Sequence, residues 1–160
     1  MKIEILTDYG RIDEFVGVAM LAGPSGTRDE NIEKITAFVD NANTGARLGL
    51  NTGLAFCVLD DDGAMPGRGA IVGTLTVSEC PHFGCAMMDC FAVLPRAQGR
   101  MIGKILLSRV RDVVASHSDY KYIIGSTTRT GKFYEALGIP KIGTVKGPHS
   151  EKSFYGIIVN

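Results

Sequence analysis

The chain has 160 residues, 45% of them apolar, and its 17 Lys+Arg balance 17 Asp+Glu, so it carries no net charge. That length and apolar content suit one domain over residues 1–160, not two. The zero balance excludes a general nucleic-acid or membrane-surface binder and leaves room for one local basic pocket.

The N-terminal stretch MKIEILTDYG is no secretory signal, and no apolar run approaches the length needed to cross a membrane. Cys57, Cys80, Cys85 and Cys90 therefore read as reduced thiols, and the expected location is the cytoplasm. Cys80, Cys85 and Cys90 recur every fifth residue, which is not metal-ligand spacing, so no metal is expected.

In chain order, residues 1–7 alternate Ile3 and Ile5 with Lys2 and Glu4, a half-buried strand. Residues 11–22 place Phe15, Val18, Ala19 and Leu21 at helical spacing, and Gly23-Pro24-Ser25-Gly26 stops them. Residues 29–42 form a clearer helix, with Asp29 and Glu30 in its first turn and Ile32, Ile35, Phe38 and Val39 on one face. Three strands are expected over 54–59, 70–77 and 85–93, as an antiparallel meander. A helix over 99–115 buries Ile102, Leu106, Val110 and Val113. A strand over 120–124, a short helix over 128–137 closed by Gly138 and Pro140, and strands over 141–145 and 153–159 complete the chain. The order is β-α-α-β-β-β-α-β-α-β-β, an α+β fold with a central mixed, mostly antiparallel sheet flanked by helices.

The stretch VLPRAQGRMIGKILL, residues 93–107, carries Arg96, Arg100 and Lys104 and no acid. Its glycines, Gly99 and Gly103, sit where a helix starts. A helix N-terminus after a strand offers unpaired N–H groups and partial positive charge, a ready phosphate site. The segment lacks the G-x-G-x-x-G of dinucleotide folds. It also departs from the P-loop, since three residues separate its glycines and Ile105 replaces the metal-binding hydroxyl.

This segment resembles the coenzyme A loop of the GNAT superfamily of N-acetyltransferases, V-x-P-x-x-[RQ]-G-x-G-x-[GA], through Gln98, Gly99 and Gly103, with Met101 at the usual middle glycine. Downstream, Phe133-Tyr134-Glu135-Ala136-Leu137-Gly138-Ile139 is similar to the family's F-Y-E-K-L-G-F segment. The resemblance implies acetyl-CoA as co-substrate and an acyltransferase that acetylates a primary amine by direct attack on the thioester. It implies that main-chain groups near Phe91, Ala92 and Val93 hold the pantetheine arm, and that Gln98, Gly99, Arg100, Met101, Ile102, Gly103 and Lys104 hold the phosphates. Thr127 and Thr130 fall where family members often use an Asn against pantetheine. It also implies that Tyr134 is the general acid, a phenol of ordinary pKa near ~10 that keeps its proton at neutral pH.

Within the family the loop is most similar to eukaryotic-type glucosamine-6-phosphate N-acetyltransferases, which points to an amino-sugar phosphate acceptor. The substrate side matches less well: Asp89, Cys90 and Gly125 stand where those enzymes carry acids. Asp89, four residues before Val93, is expected on the same strand face, where it orients an ammonium, relays its proton through water or serves as a structural ion pair. His82 and His149 are weaker candidates, and His117 reads as a surface residue. A peptide or protein amine, or a coenzyme-binding regulatory module without turnover, are the competing readings. The likeness implies a homodimer through the last strands, where Phe154, Tyr155, Ile157 and Val159 pack on a partner or, equally, finish a monomer's sheet.

Overall fold

A computed structural model describes residues 1–45, 53–60, 69–117, 120–128 and 131–159. Among the described residues seven strands and four α-helices follow one another as β1 (Lys2–Ile5), α1 (Ile12–Ala19), α2 (Arg28–Asn43), β2 (Gly53–Asp60), β3 (Ala70–Cys80), β4 (Cys85–Val93), α3 (Ile102–His117), β5 (Tyr122–Thr127), α4 (Lys132–Ala136), β6 (Lys141–Lys146) and β7 (Glu151–Ile158). This is the element order expected from the sequence. The sheet runs β1-β2-β3-β4-β5-β7-β6. Every neighbouring pair is antiparallel except β4 and β5, which are parallel.

Helices cover both faces of the sheet. On one face Phe15, Val16, Ile35, Phe38 and Val39 of α1 and α2 pack on Ala55, Cys57, Ile71 and Ala92. On the other, Ile102, Leu106, Val110 and Val114 of α3 pack on Phe56, Leu75, Val77 and Met88. Full burial of one such side chain contributes roughly 1.5–3 kcal/mol, which is why the periodic positions dominate the core.

Local chemistry explains the helix ends. Thr27 and Glu30 form a reciprocal capping box: the Glu30 N–H donates to the Thr27 hydroxyl (3.2 Å) and the Thr27 N–H to the Glu30 carboxylate (2.6 Å). The helix expected over 11–22 is shorter. It ends at Ala19, continues as a 3-10 turn, and stops at Gly23 in a left-handed conformation (φ 64°). Leu21, read at helical spacing with the buried Phe15, Val18 and Ala19, is 47% exposed. The helix expected from Gly99 begins only at Ile102, because Gly99 (φ 79°) and Met101 (φ 60°) both have left-handed backbones. The last turn of β5 reaches Thr127, beyond the expected end at 124.

Two features place β4. A bulge sets Cys90 and Phe91 against the single residue Leu75, between the pairs Thr74↔Ala92 and Thr76↔Asp89. Cys90 has φ 51° there, and the Thr74 hydroxyl donates to its carbonyl at 2.8 Å, so the buried polar group left over by the bulge is satisfied. In addition, β4 and β5 pair only at Ala86↔Ile123 and Met87↔Ile124. No ladder pair joins them beyond Met87, and the parallel strands part into a cleft.

Candidate active site in the cleft between β4 and β5

The cleft is a cavity of about 410 Å³ lined by residues from both strands, the α1–α2 loop, the start of α4 and β7. Main-chain groups of Phe91, Ala92 and Val93 run along one wall, on the edge that β5 does not pair. With no ladder partner there, that edge can accept an extended ligand as an added strand.

At one end lies the loop after β4. The Gln98 side-chain amide donates to the Val93 carbonyl at 3.4 Å, tying the loop back to the strand. Gly99 is required by its backbone: a Cβ there would meet nothing within 4 Å, but φ is 79°. Gly103 relieves packing: a Cβ there would lie 3.1 Å from a Leu137 methyl, which would have to yield by a few tenths of an ångström, and 3.7 Å from Phe91. The two glycines thus do different work. Gly73 on β3, which sequence reading missed, completes the arrangement. Its Cβ would sit 2.7 Å from Ile102, so its bare backbone lets the start of α3 press onto the sheet.

Met101 is 62% exposed and Lys104 is exposed, so both side chains turn outward from the start of α3. Arg100, expected toward the phosphates, is paired with Asp60 at the end of β2 through both guanidinium nitrogens, one at 3.0 Å. That bond and charge hold the Asp60 carboxyl below its ordinary range. Thr127 lines the cleft, whereas Thr130 lies outside the described residues.

Tyr134 is buried at the floor of the cleft, held by an aromatic chain. Its ring stacks on Tyr155 (4.7 Å, 11°) and meets Phe133 edge-on (5.7 Å), which in turn meets Phe91 (4.8 Å, 85°). Its hydroxyl rests above Gly125, where a Cβ would approach within 2.8 Å. Gly125 therefore leaves room for the phenol and offers no side chain to a substrate. A Cβ on Gly131 would lie 1.5 Å from the Tyr155 hydroxyl, so this glycine fixes the ring that fixes Tyr134. Burial, with smaller contributions from the Asp89 and Tyr155 charges, pushes the Tyr134 phenol up to about 12. It stays protonated at any physiological pH.

Asp89 occupies the other end. The bulge changes its expected position: Phe91 and Val93 pack with the α3 side, as Ala86 and Met88 do, whereas Cys90 and Ala92 pack with the α1–α2 side. The extra residue inverts the alternation, so Asp89 does not share a face with Val93 as a spacing of four predicts. It faces α2, where its carboxylate accepts a 2.7 Å bond from Lys34. Burial alone raises its pKa. The Lys34 charge and bond, the Cys90 N–H and the charge of Lys152 outweigh it, leaving the carboxyl below its ordinary range. Asp89 is thus an anion with one cationic partner. Cys90 lines the cleft through its backbone turn, but its thiol is buried against Thr76 and pushed up to about 11, mainly by that burial.

His82 and His149 are exposed and neither borders the cleft, while His117 ends α3. Among the described residues no group of acids, histidines and cysteines could hold a metal. Sequence reading missed Leu21, Ala22, Gly23, Pro24 and Ser25, which form the cleft's lip, and Lys152 on β7. The Gly-Pro break in the first group was a visible signal. Lys152 had none, because only the sheet order brings β7 beside β5.

The cleft thus brings together a strand edge with no ladder partner beyond Met87, the loop that leads into α3, and a buried phenol. The sequence model of the Acetyltransferase (GNAT) family matches residues 29–139. The chain belongs to this family. Its members transfer acetyl groups from acetyl-CoA, and this GNAT protein is accordingly an acetyl-CoA-dependent N-acetyltransferase. The fold is similar to that of a putative GNAT acetyltransferase from Desulfovibrio desulfuricans (TM-score 0.73, 16% identity, 99% of each chain covered). It is also similar to an aminoglycoside 6'-N-acetyltransferase solved with coenzyme A (TM-score 0.74, 14% identity, 100% of this chain and 98% of that one). A spermidine N-acetyltransferase from Vibrio cholerae is a third (TM-score 0.66, 15% identity, 99% and 95%). At these identities the likeness is one of fold. No curated protein sequence matches.

No helix among the described residues is long and apolar enough to cross a membrane. Of the four candidates for a dimer contact, Tyr155 and Val159 are buried in the protein's own core, and Phe154 and Ile157 are half-buried.

Proposed function

We propose that the acceptor of this N-acetyltransferase is the primary amine of a small molecule, bound between Asp89 and the lip formed by residues 21–25, with amino-sugar phosphates the leading class. The observation that carries this reading is the position of Asp89: an ionised carboxylate at the end of the cleft, beyond the unpaired edge at Phe91, Ala92 and Val93.

In this reading acetyl-CoA lies along the free edge of β4, with its pyrophosphate against the amides from Gln98 to Lys104, and Thr127 lines the opposite wall. Arg100 reaches a phosphate only by leaving Asp60, so its contribution is smaller than that of the amides. The acceptor enters as an ammonium, held by Asp89, and loses its proton through water. A carboxylate of depressed pKa is a weak base, so Asp89 orients more than it abstracts. The free amine attacks the thioester carbonyl, whose developing oxyanion meets a β4 N–H. As the C–S bond breaks, sulfur leaves as thiolate beside the Tyr134 phenol. A thiol of ordinary pKa ~8.5 is a stronger acid than a phenol near 12. Tyr134 therefore acts by donating a hydrogen bond to the departing sulfur, and the thiolate takes its final proton from solvent. From ammonium to amide the nitrogen loses two protons, one before attack and one as the tetrahedral intermediate collapses; one offsets the proton the thiolate takes up and the other is released to water, which balances the step.

Thiol release measured with acetyl-CoA and glucosamine 6-phosphate tests the class. Release well above the amine-free rate supports it. No release with this sugar, together with turnover of peptide amines, moves the acceptor to the peptide class.

A further inference from the structure

The charges at the acceptor end do not suit a plain amine. Among the described residues lining the cleft there is one acid, Asp89, and one base, Lys152. Asp89 is already bonded to Lys34 at 2.7 Å. With that pair neutral overall, the charge of Lys152 remains in excess before any substrate arrives. Lys152 is exposed on β7 and forms no ion pair among the described residues. It is close enough to Asp89 for its charge to act on that carboxyl.

Its surroundings are polar. Lys152 precedes Ser153, which pairs with Thr127, and Ser126, Thr127 and Thr128 line the same wall at the end of β5. One ammonium beside three hydroxyl-bearing residues is a donor-rich surface of the kind that receives an oxyanion. A polyamine entering here would meet two ammonium groups and one carboxylate, and like charges placed together select against the wrong ligand.

We infer that the acceptor carries an anionic group, a carboxylate or phosphate, bound by Lys152 and the 126–128 wall while its own ammonium pairs with Asp89. The inference rests on the small-amine reading above; it names the residue that selects a negative charge in the acceptor and widens the class from amino-sugar phosphates to amines carrying any carboxylate or phosphate. Lys152 is then a specificity residue, which touches substrate without touching the transferring acetyl group.

The test compares matched acceptors at saturating acetyl-CoA: O-phosphoethanolamine with ethanolamine, glucosamine 6-phosphate with glucosamine, and spermidine as the polycation. In whichever pair reacts faster, the anionic member should have the higher kcat/KM by on the order of tenfold or more, chiefly through KM, as one charged hydrogen bond supplies. Lys152→Met should bring the two members toward parity, and Lys152→Arg should keep the preference. Lys152 is exposed, so both variants should fold, and a melting curve checks this. Spermidine or the member without the anionic group reacting better, or a preference undiminished in Lys152→Met, overturns the inference while leaving the small-amine reading intact. Thiol release with none of the five amines overturns both.

Discussion

The two ends of the cleft are built by different means. The end proposed for the coenzyme is local: residues 93–107 contain the strand end, the turn and the helix start, and its glycines serve a backbone φ or one packing contact. The end proposed for the acceptor is assembled from far apart, with Lys34 on α2, Asp89 on β4, Lys152 on β7 and the lip at residues 21–25. A local site tolerates change elsewhere in the chain. A composite one depends on the elements that register its parts, here the bulge in β4 and the stacking of Tyr134 on Tyr155.

The largest effect is expected where the two ends meet. Tyr134→Phe keeps the ring stack and removes the donor, and kcat should fall by about 10²–10³-fold with a nearly unchanged KM for acetyl-CoA. Steady-state kinetics decide this. A loss under fivefold would assign Tyr134 to packing alone. Because burial raises the phenol to about 12, the wild-type rate should show no alkaline limb from this group below roughly pH 11.

Next comes Gly131→Ala, whose new methyl would overlap the Tyr155 hydroxyl. Overpacking of this kind costs roughly 1–3 kcal/mol or more, and Tyr155→Phe in the same chain should restore part of the melting temperature. Full stability of the single variant would show that the stack does not set the position of Tyr134.

Thr74→Val should be milder. It strips the hydrogen bond from the Cys90 carbonyl inside the bulge, at a cost of about 1–3 kcal/mol. If the bulge registers only the acceptor end, acceptor KM should rise while acetyl-CoA binding, read by calorimetry, stays within about twofold.

The smallest effect belongs to the coenzyme loop. Met101→Gly relieves a left-handed backbone on an exposed residue, and the gain of about 1 kcal/mol is partly offset by the entropy of glycine. Acetyl-CoA affinity should be equal or slightly better, and a marked loss would mean that the Met101 side chain itself holds the ligand.

The same division explains what could be read in the sequence. Order and type of all eleven elements follow from periodicity and breakers, because each signal lies within one segment. Gln98 and Tyr134 belong to local motifs, and both line the cleft. The face of Asp89 did not follow, because one extra residue in β4 inverts alternation and nothing at Cys90 announces a bulge: the partner that completes it, Thr74, is sixteen residues away. Arg100 looked like a phosphate ligand because its partner Asp60 lies forty residues upstream. Leu21 kept helical spacing after the helix had stopped. Gly73 and Lys152 carry no local mark, since their roles come from what the sheet order places beside them.

A structure with acetyl-CoA bound tests the central claim most directly. The thioester arm should run along the free edge at Phe91, Ala92 and Val93, with the pyrophosphate on the amides of the 98–104 loop. The sulfur should lie within hydrogen-bond reach of the Tyr134 hydroxyl. Sulfur placed away from that phenol, or an arm that avoids the β4 edge, would contradict it.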